Sequence, residues 1–268
     1  MSGRRARRAQ RPSTRSQHFL RTSALAAQLV GEACIQPDDL VLDLGAGSGR
    51  LTAELAQVAR HVLAVELDPA WATALRGRWP NVEVIEGDAA CIRLPREPFR
   101  VLANLPFDRT TDLLRLLLDD PRAALVRADM IVEWAVAIKR GLPWPSTLND
   151  VLWGAFYETS VARRLPRIAF RPSPTADGGV LVFRRRATPL IPLELAHSYR
   201  RFAARGFRRG LQSVAAPRAL KGVAERGATA RDLDAHQWAE VFLRQRDVVD
   251  KRPWRPRIPP RANPETAE

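Results

Sequence analysis

Short apolar runs separated by amphipathic segments recur through the first half of the chain. Five runs have the length and β-branched content of buried strands, and they span residues 40–44, 62–66, 82–88, 100–107 and 129–134. Segments with helical spacing of apolar residues alternate with them, at residues 22–33, 50–59, 69–79 and 111–118. This alternation predicts an α/β fold with a doubly wound, Rossmann-like parallel sheet.

The pattern changes towards the C-terminus. Two apolar segments within residues 154–186 predict a closing pair of strands, and Pro189 and Pro192 mark a hinge. A basic segment with helical spacing follows, which predicts a small C-terminal α-helical domain. We therefore expect four parts: a disordered basic arm over residues 1–16, a catalytic domain over 17–188, the helical domain over 189–250, and a disordered proline-rich tail over 251–268.

Composition excludes several classes of protein. The chain has 268 residues, 46% of them hydrophobic, which is enough for one sizeable core. No apolar run reaches the ~20 residues that span a bilayer, which excludes a membrane protein. Cys34 and Cys91 are far apart and lie in no Cys/His cluster, so we expect reduced thiols, no metal site and a cytoplasmic protein.

The net charge of +14 is concentrated at the two ends of the chain. Residues 1–31 have seven arginines and no acid, residues 32–188 have 20 basic and 20 acidic side chains, and residues 189–257 have 15 and seven. A neutral centre between basic flanks is what a polyanion-binding enzyme needs. The arm is equally typical of an organelle transit peptide, and that alternative stays open. The candidate RNA contacts are Arg4, Arg5, Arg7, Arg8, Arg200, Arg201, Arg205, Arg208 and Arg209.

A glycine-rich turn follows the first predicted strand. It begins at Asp43, and its Gly45 and Gly47 let the backbone pass close beneath a ligand. The glycines are spaced GxGxG rather than GxGxxG, and no Gly-Lys-Ser/Thr follows, which argues against a dinucleotide site and a Walker loop. The tighter turn favours a smaller ligand whose amino-acid end lies beside Asp43.

Two more carboxylates end the next two predicted strands. Glu66 lies where a carboxylate can accept hydrogen bonds from both ribose hydroxyls, and Asp88 lies where it can accept one from an adenine amine. Together with Asp43, these acceptors at successive strand ends favour a nucleoside without phosphates. We therefore expect the cofactor to be S-adenosyl-L-methionine.

The fourth predicted strand ends in Asn104-Leu105-Pro106-Phe107. The amine of adenine is a poor nucleophile because its lone pair is delocalised into the ring. The side-chain carbonyl of Asn104 and the backbone carbonyl of Leu105 can hold its two N–H groups and free that lone pair, while Pro106 stiffens the turn. Phe107 can stack on a base swung out of its helix. We expect these four residues to be catalytic.

These motifs, with Gln17-His18-Phe19-Leu20, resemble the rRNA adenine N6-methyltransferase family over roughly residues 16–250. That family comprises the Erm-type macrolide-resistance enzymes and the small-subunit dimethyladenosine transferases. The resemblance implies that segment 17–20 closes over the methionine end of the cofactor and that Phe170 lies beside the target base with Phe107, which is Tyr in many relatives. The cofactor-binding residues it implies are Gln17, His18, Leu20, Gly45, Gly47, Glu66, Asp88, Ala89 and Asn104.

Within this family the segments 128–141, 200–211 and 236–242 look closer to the Erm-type branch. That resemblance implies N6-methylation of an adenine in 23S rRNA near the peptide exit tunnel, before the ribosome is fully assembled, and resistance to macrolides. We expect a monomer. Two alternatives stay open: a small-subunit dimethyladenosine transferase acting in ribosome assembly, and a non-catalytic nucleic-acid-binding relative, against which the intact Asn104, Glu66 and Asp88 argue. The choice between mono- and dimethylation also stays open.

Overall fold

The computed structural model describes residues 18–145 and 147–250. The expected arm (residues 1–16) and tail (residues 251–268) lie outside the described residues. So do five of the candidate site residues, namely Arg4, Arg5, Arg7, Arg8 and Gln17.

The described residues form nine strands and nine α-helices. The strands are β1 Phe19–Leu20, β2 Leu40–Leu44, β3 His61–Glu66, β4 Val82–Glu86, β5 Phe99–Asn104, β6 Leu125–Glu133, β7 Tyr157–Leu165, β8 Phe170–Arg171 and β9 Gly178–Arg185. The helices are α1 Ser23–Glu32, α2 Arg50–Val58, α3 Pro69–Leu75, α4 Thr110–Leu118, α5 Trp134–Gly141, α6 Leu148–Gly154, α7 Ala196–Arg209, α8 Pro217–Leu220 and α9 Ala235–Asp250.

Seven strands form the central sheet, in the order β4-β3-β2-β5-β6-β9-β7. The first five are parallel, and β9 is antiparallel to both β6 and β7. The α/β fold with its Rossmann-like sheet and closing strand pair is therefore confirmed. The chain lays β3 and β4 on one side of β2 and then places β5 and β6 on the other, so the space between β2 and β5 is a topological switch point.

Both faces of the sheet are covered, which explains why β2 is apolar throughout. All five residues of β2 are buried. Val41 packs in the same apolar cluster as buried residues of α1 and α2, whereas Leu42 belongs to the cluster on the opposite face, which includes residues of α4 and α6. Alternate residues of one strand thus anchor two helical layers.

Some predicted boundaries and elements differ from the structure. Helix α3 ends at Leu75 rather than residue 79, because the chain turns at Gly77 with a φ of +72°. Strand β6 begins at Leu125, four residues earlier than expected. Helices α5 and α6 and the two short strands β1 and β8 were not predicted. The strands have two residues each, too few to show a period, and α5 begins directly after β6 at Trp134, which the sequence assigned to the strand.

The C-terminal helices pack against the rest of the protein rather than standing apart. On α7, Tyr199 and Ala203 are buried, and the ring of Phe202 meets that of Trp238 on α9 edge-on at 6.1 Å. The apolar cluster that contains Trp238 also contains Trp153 of α6 and Leu114 of α4, so sheet and C-terminal helices share a continuous core. Among the described residues, no helix is long and apolar enough to cross a membrane.

Candidate active site

The residues singled out from the sequence lie along one edge of the sheet. Strands β4, β3, β2 and β5 are parallel neighbours in that order, so their carboxyl ends meet. Asp88, Glu66 and Asn104 therefore follow one another along this edge, with the turn after β2 between the last two. This edge lies at the switch point, where sheets of this kind bind their ligands.

Glu66 organises the glycine-rich turn. Its Oε2 accepts a hydrogen bond from the backbone N–H of Gly47 at 2.7 Å, and its Oε1 accepts one from the N–H of Asp68 at 2.8 Å. The side chain is buried, and each carboxylate oxygen keeps a second lone pair for a ligand. The carboxylate thus holds the turn in place and can still accept hydrogen bonds from hydroxyl groups.

Asp43 is buried beneath the same turn. Its Oδ2 accepts a hydrogen bond from the hydroxyl of Thr52 on α2 at 2.7 Å. Burial raises the pKa of the Asp43 carboxyl to about 7, helped by the nearby charge of Glu66 and opposed by the bond from Thr52. A carboxyl with this pKa is easily converted to its charged form by a bound cation.

The turn is shaped so that an aromatic ring lies directly on it. Gly45 and Gly47 have φ values of +82° and +52°, which L side chains rarely adopt. A Cβ atom at Gly47 would collide with the ring of Phe19, whose other neighbour is the ring of Trp71 at 5.4 Å. The backbone of Leu20 accepts a hydrogen bond from Arg50 of α2. The segment after Gln17 therefore lies over the turn.

Asn104 links that segment to the end of β5. Its side-chain N–H group donates to the backbone carbonyl of His18 at 2.5 Å, which sets the orientation of the amide. Within the described residues the other amide atom, Oδ1, is buried and has no hydrogen-bond partner. A buried carbonyl without a donor is costly, which favours a site completed by a ligand.

The turn after Asn104 forms a 3₁₀ helix, Phe107–Arg109. The carbonyl of Pro106 accepts from the N–H of Arg109 at 3.0 Å, and that of Phe107 accepts from the hydroxyl of Thr110 at 3.2 Å. The hydrogen bonds that close this turn use the carbonyls of Pro106 and Phe107 and not that of Leu105. Leu105 also donates its N–H to Ile131 on β6, so the turn is tied to the sheet.

Three rings surround this turn. The ring of Phe107 lies 5.8 Å from that of His18 and 6.4 Å from that of Phe170, measured between centroids. They come together because β1 and β8 pair as a separate two-stranded antiparallel sheet, with Leu20 opposite Phe170. This pairing brings together two segments from near the two ends of the predicted catalytic domain, beside Asn104.

Asp88 is tied to the turn as well. It caps the 3₁₀ helix Ala89–Cys91 by accepting from Ala90, and both of its oxygens lie within 3.3 Å of Nη2 of Arg109. Burial acts to lower the pKa of the Arg109 guanidinium. Its hydrogen bond with Asp88 and the charge of that carboxylate together outweigh burial, so the pKa is raised above its ordinary value. The carboxylate expected to contact a cofactor adenine thus has a cationic partner.

The sequence comparisons place this site in a known family. The model of the ribosomal RNA adenine dimethylase family matches residues 10–224. An rRNA adenine N-6-methyltransferase of Corynebacterium diphtheriae is 34% identical over 205 residues, which cover 74% of this chain and 79% of that protein. The chain belongs to the ribosomal RNA adenine dimethylase family.

Two further likenesses agree with membership of the dimethylase family. The mycinamicin-resistance protein MyrB of Micromonospora griseorubida is 32% identical over 237 residues, or 83% of this chain and 74% of that protein. A crystal structure of the 23S rRNA methyltransferase ErmE matches with a TM-score of 0.74 at 29% identity, over 85% of this chain and 99% of that chain. This dimethylase-family chain is accordingly an rRNA adenine N6-methyltransferase.

The described arginines that were predicted to contact RNA differ in how exposed they are in this dimethylase. Arg201, Arg205, Arg208 and Arg209 are exposed on α7. Arg200 is half-buried, and its Nη2 lies 3.2 Å from the backbone carbonyl of Asp119 at the end of α4. Arg200 thus joins the C-terminal helices to the sheet domain, while the other four lie three or four residues apart, or next to one another, and share one exposed face of α7.

Sequence reasoning missed three residues that shape the dimethylase site: Thr52, Trp71 and Arg109. Thr52 and Trp71 are single residues inside helical segments, and their roles appear only once α2 and α3 are placed against the sheet. Arg109 follows Phe107 by two residues, but its pairing with Asp88, 21 positions away, likewise appears only in the structure. Ala89 begins the 3₁₀ turn that Asp88 caps, at the expected strand end.

Proposed function

We propose that this enzyme transfers methyl groups from S-adenosyl-L-methionine to N6 of an adenine in 23S rRNA. The observation that carries the proposal is Oδ1 of Asn104. This atom is a buried acceptor without a partner among the described residues, and it lies beside a glycine turn and a group of three rings. An exocyclic amine supplies the missing donor, and its aromatic base suits the rings.

The residues of the site fit the cofactor. Glu66 and Asp88 offer carboxylate oxygens at neighbouring strand ends. Asp43 lies buried under the turn, where its carboxylate suits the positively charged amino group of the cofactor's methionine part. Gly45 and Gly47 let the turn take its tight path, and the missing Cβ of Gly47 leaves room for the ring of Phe19. His18 and Leu20 belong to the segment that lies over the turn. S-adenosylmethionine, when bound, supplies an electrophilic methyl group.

The protein's own groups would act on the adenine. Oδ1 of Asn104 and the carbonyl of Leu105 would each accept one N–H of the amine, which localises the lone pair on nitrogen. Pro106 limits the motion of the turn, and Phe107 and Phe170 would hold the base between ring faces and edges. The proton leaves the nitrogen after it has attacked, so the site needs no strong base.

The choice of 23S rRNA and of macrolide resistance rests on two likenesses. ErmE, the protein of the matching crystal structure, is a 23S rRNA methyltransferase, and MyrB is a mycinamicin-resistance protein. Each covers more than four fifths of this chain. We further propose that the enzyme acts in the cytoplasm, as a monomer, on an adenine near the peptide exit tunnel before ribosome assembly is complete.

The test is to map methylated adenines in rRNA from a macrolide-sensitive bacterium that expresses the wild type or Asn104→Ala. We expect N6-methylation at one 23S rRNA adenine, together with macrolide resistance, in the wild type alone. Methylation of small-subunit rRNA would instead assign the chain to the dimethyladenosine transferase branch. A wild-type protein that folds and binds cofactor but methylates neither RNA would contradict the proposal.

A further inference from the structure

The loop before β8 exposes an apolar side chain close to the target-base site. Ile168 lies in the 3₁₀ turn Arg167–Ala169 and is 64% exposed, which makes it the most exposed large apolar residue of the described chain. Most large apolar side chains of this protein lie in its core. A single exposed isoleucine is ordinary on any protein surface, so its surroundings decide whether it has a role.

The turn that presents Ile168 is held on both sides. The N–H of Arg167 donates to Oδ1 of Asp177 at 2.8 Å, and the carbonyl of Arg167 accepts from the hydroxyl of Ser173 at 2.9 Å. The carbonyl of Ala169 accepts from the N–H of Arg21 at 2.7 Å. The bond from Arg167 also lowers the pKa of Asp177, so this clamp persists at neutral pH. Ile168 is therefore exposed on a fixed turn rather than on a loose one.

This turn leads directly into the ring beside the target base. Phe170 follows Ile168 by two residues, is buried, and its ring lies 6.4 Å from that of Phe107. Leu20 pairs with Phe170, and the next residue, Arg21, bonds to the turn. Ile168 thus lies at the rim of the site, on the segment that ends inside it.

The rim is also basic. Three arginines here are exposed: Arg21 follows β1, Arg167 begins the turn that presents Ile168, and Arg171 lies in β8. The carboxylate at this rim, Asp177, already pairs with Arg164, at 2.7 Å between Oδ2 and Nη2. Three exposed cations on the backbone segments next to one apolar side chain suit a nucleic acid strand, which presents both phosphates and stacked bases.

We propose that Ile168 is a wedge that enters the RNA base stack at the position vacated by the target adenine. An adenine that swings out leaves a gap between its former neighbours, and an apolar side chain that fills this gap offsets part of the lost stacking. Arg21, Arg167 and Arg171 would contact the phosphates on either side of the gap. This inference rests on the proposed function, because it requires an RNA substrate whose adenine is turned into the site.

The test compares two RNAs that differ only in how firmly the adenine is stacked. One is a short stem that contains the adenine mapped in 23S rRNA in a base-paired position, and the other has an abasic residue opposite that adenine. Ile168→Ala should lower kcat/KM on the paired stem about five- to thirtyfold, as expected for the loss of several buried methyl and methylene contacts. On the abasic stem, where the adenine is already loosened, it should differ from the wild type by less than about twofold on the same reasoning.

The matched control is Ile138→Ala, the same change at another exposed isoleucine, on α5. It should leave kcat/KM unchanged on both stems. Equal rates for Ile168→Ala and wild type on the paired stem would overturn the wedge, and so would an equal loss on both stems, which would indicate a general surface contact. Normal rates on both stems combined with loss of binding to a ribosomal protein would assign Ile168 to a protein interface. If the mapping finds no 23S rRNA adenine methylated by the wild type, the proposed function itself is overturned, and this is distinct from either result with Ile168→Ala.

Discussion

The guanidinium of Arg109 joins the carboxylate of Asp88, with Nη2 at 3.0 Å from Oδ2 and 3.3 Å from Oδ1. Asp88 follows β4, at the strand end proposed to contact the adenine of the cofactor. Arg109 ends the 3₁₀ turn that begins with Phe107, which we propose stacks on the target base. This ion pair therefore connects the proposed cofactor site to the proposed target-base site.

Arg109→Gln should weaken binding of S-adenosylhomocysteine about two- to fivefold, the range for a partly exposed ion pair, because Asp88 loses its orienting partner. The RNA KM should rise as well, since the turn carrying Phe107 loses the same tie. Calorimetry and steady-state kinetics measure the two effects. Arg115→Gln, at an exposed position on α4, is the control. Unchanged cofactor affinity in Arg109→Gln would show that Asp88 needs no partner.

Asn104→Ala should reduce methyl transfer more than about 100-fold, because the amide acts on the reacting amine rather than on the bound ground state. Affinity for S-adenosylhomocysteine should fall less than about tenfold, since only the bond to His18 is lost on the cofactor side. Single-turnover rates and calorimetry separate the two. Equal losses in rate and affinity would make Asn104 a cofactor ligand and not a catalytic residue.

Phe107→Ala should lower kcat/KM for RNA about 5- to 150-fold, corresponding to one stacked base. Phe107→Tyr keeps the ring face and should retain most of the activity. Cofactor affinity should be unaffected in both variants, which filter binding or calorimetry can establish. If Phe107→Ala methylates RNA normally, Phe170 and His18 suffice to hold the base.

The pKa of Asp43, about 7, predicts that cofactor affinity depends on pH. Binding a cationic amino group favours the charged carboxylate, so the affinity for S-adenosylhomocysteine should rise roughly tenfold from pH 6 to pH 8. Thr52→Val removes the hydrogen bond that lowers this pKa and should move the midpoint to higher pH. A flat affinity profile in the wild type would mean that Asp43 stays uncharged beneath the ligand.

The same group has the opposite effect on folding. A carboxyl whose pKa is raised from 3.8 to about 7 favours the folded state below pH 3.8, and this contribution is lost as the pH rises through 7. The ligand-free protein should therefore lose stability progressively between about pH 4 and pH 7, whereas the cofactor complex should lose less. Thermal unfolding with and without S-adenosylhomocysteine measures the difference.

The exposed arginines of α7 should contribute to RNA affinity through phosphate contacts. Changing Arg201, Arg205, Arg208 and Arg209 together to Gln should weaken RNA binding and make it less dependent on salt, with unchanged cofactor affinity. Substitution is the sharper test, because deleting the C-terminal helices would remove Trp238 and uncover the core around Trp153. The same RNA affinity and salt dependence in the substituted protein would place the RNA contacts elsewhere.

The strand-end residues of this site could be predicted because each lies next to an apolar run. Asp43, Glu66 and Asn104 fall at or near the ends of β2, β3 and β5, and the parallel order of these strands brings them together. Local pattern is sufficient there, because the carboxyl ends of parallel strands always share one edge.

The partners of those residues could not be predicted in the same way. The β1–β8 pair joins two-residue strands that are about 150 positions apart, and no period is visible in two residues. The bonds between Asn104 and His18 and between Asp43 and Thr52 depend on how the sheet, α2 and this pair are placed in three dimensions. The continuity of the core across residue 189 is likewise a property of packing and not of composition.

The β1–β8 pair also determines how much of the chain must be synthesised before the site can be complete. All five parallel strands have been synthesised once residue 133 has left the ribosome, but β1 has no partner until residues 170–171 follow. Ribosome-bound fragments that stop before residue 165 should thus contain Asp43, Glu66, Asp88 and Asn104 and yet leave Phe19 without the strand that holds it over the glycine turn. A nascent chain of that length would leave its newly formed pocket open to water.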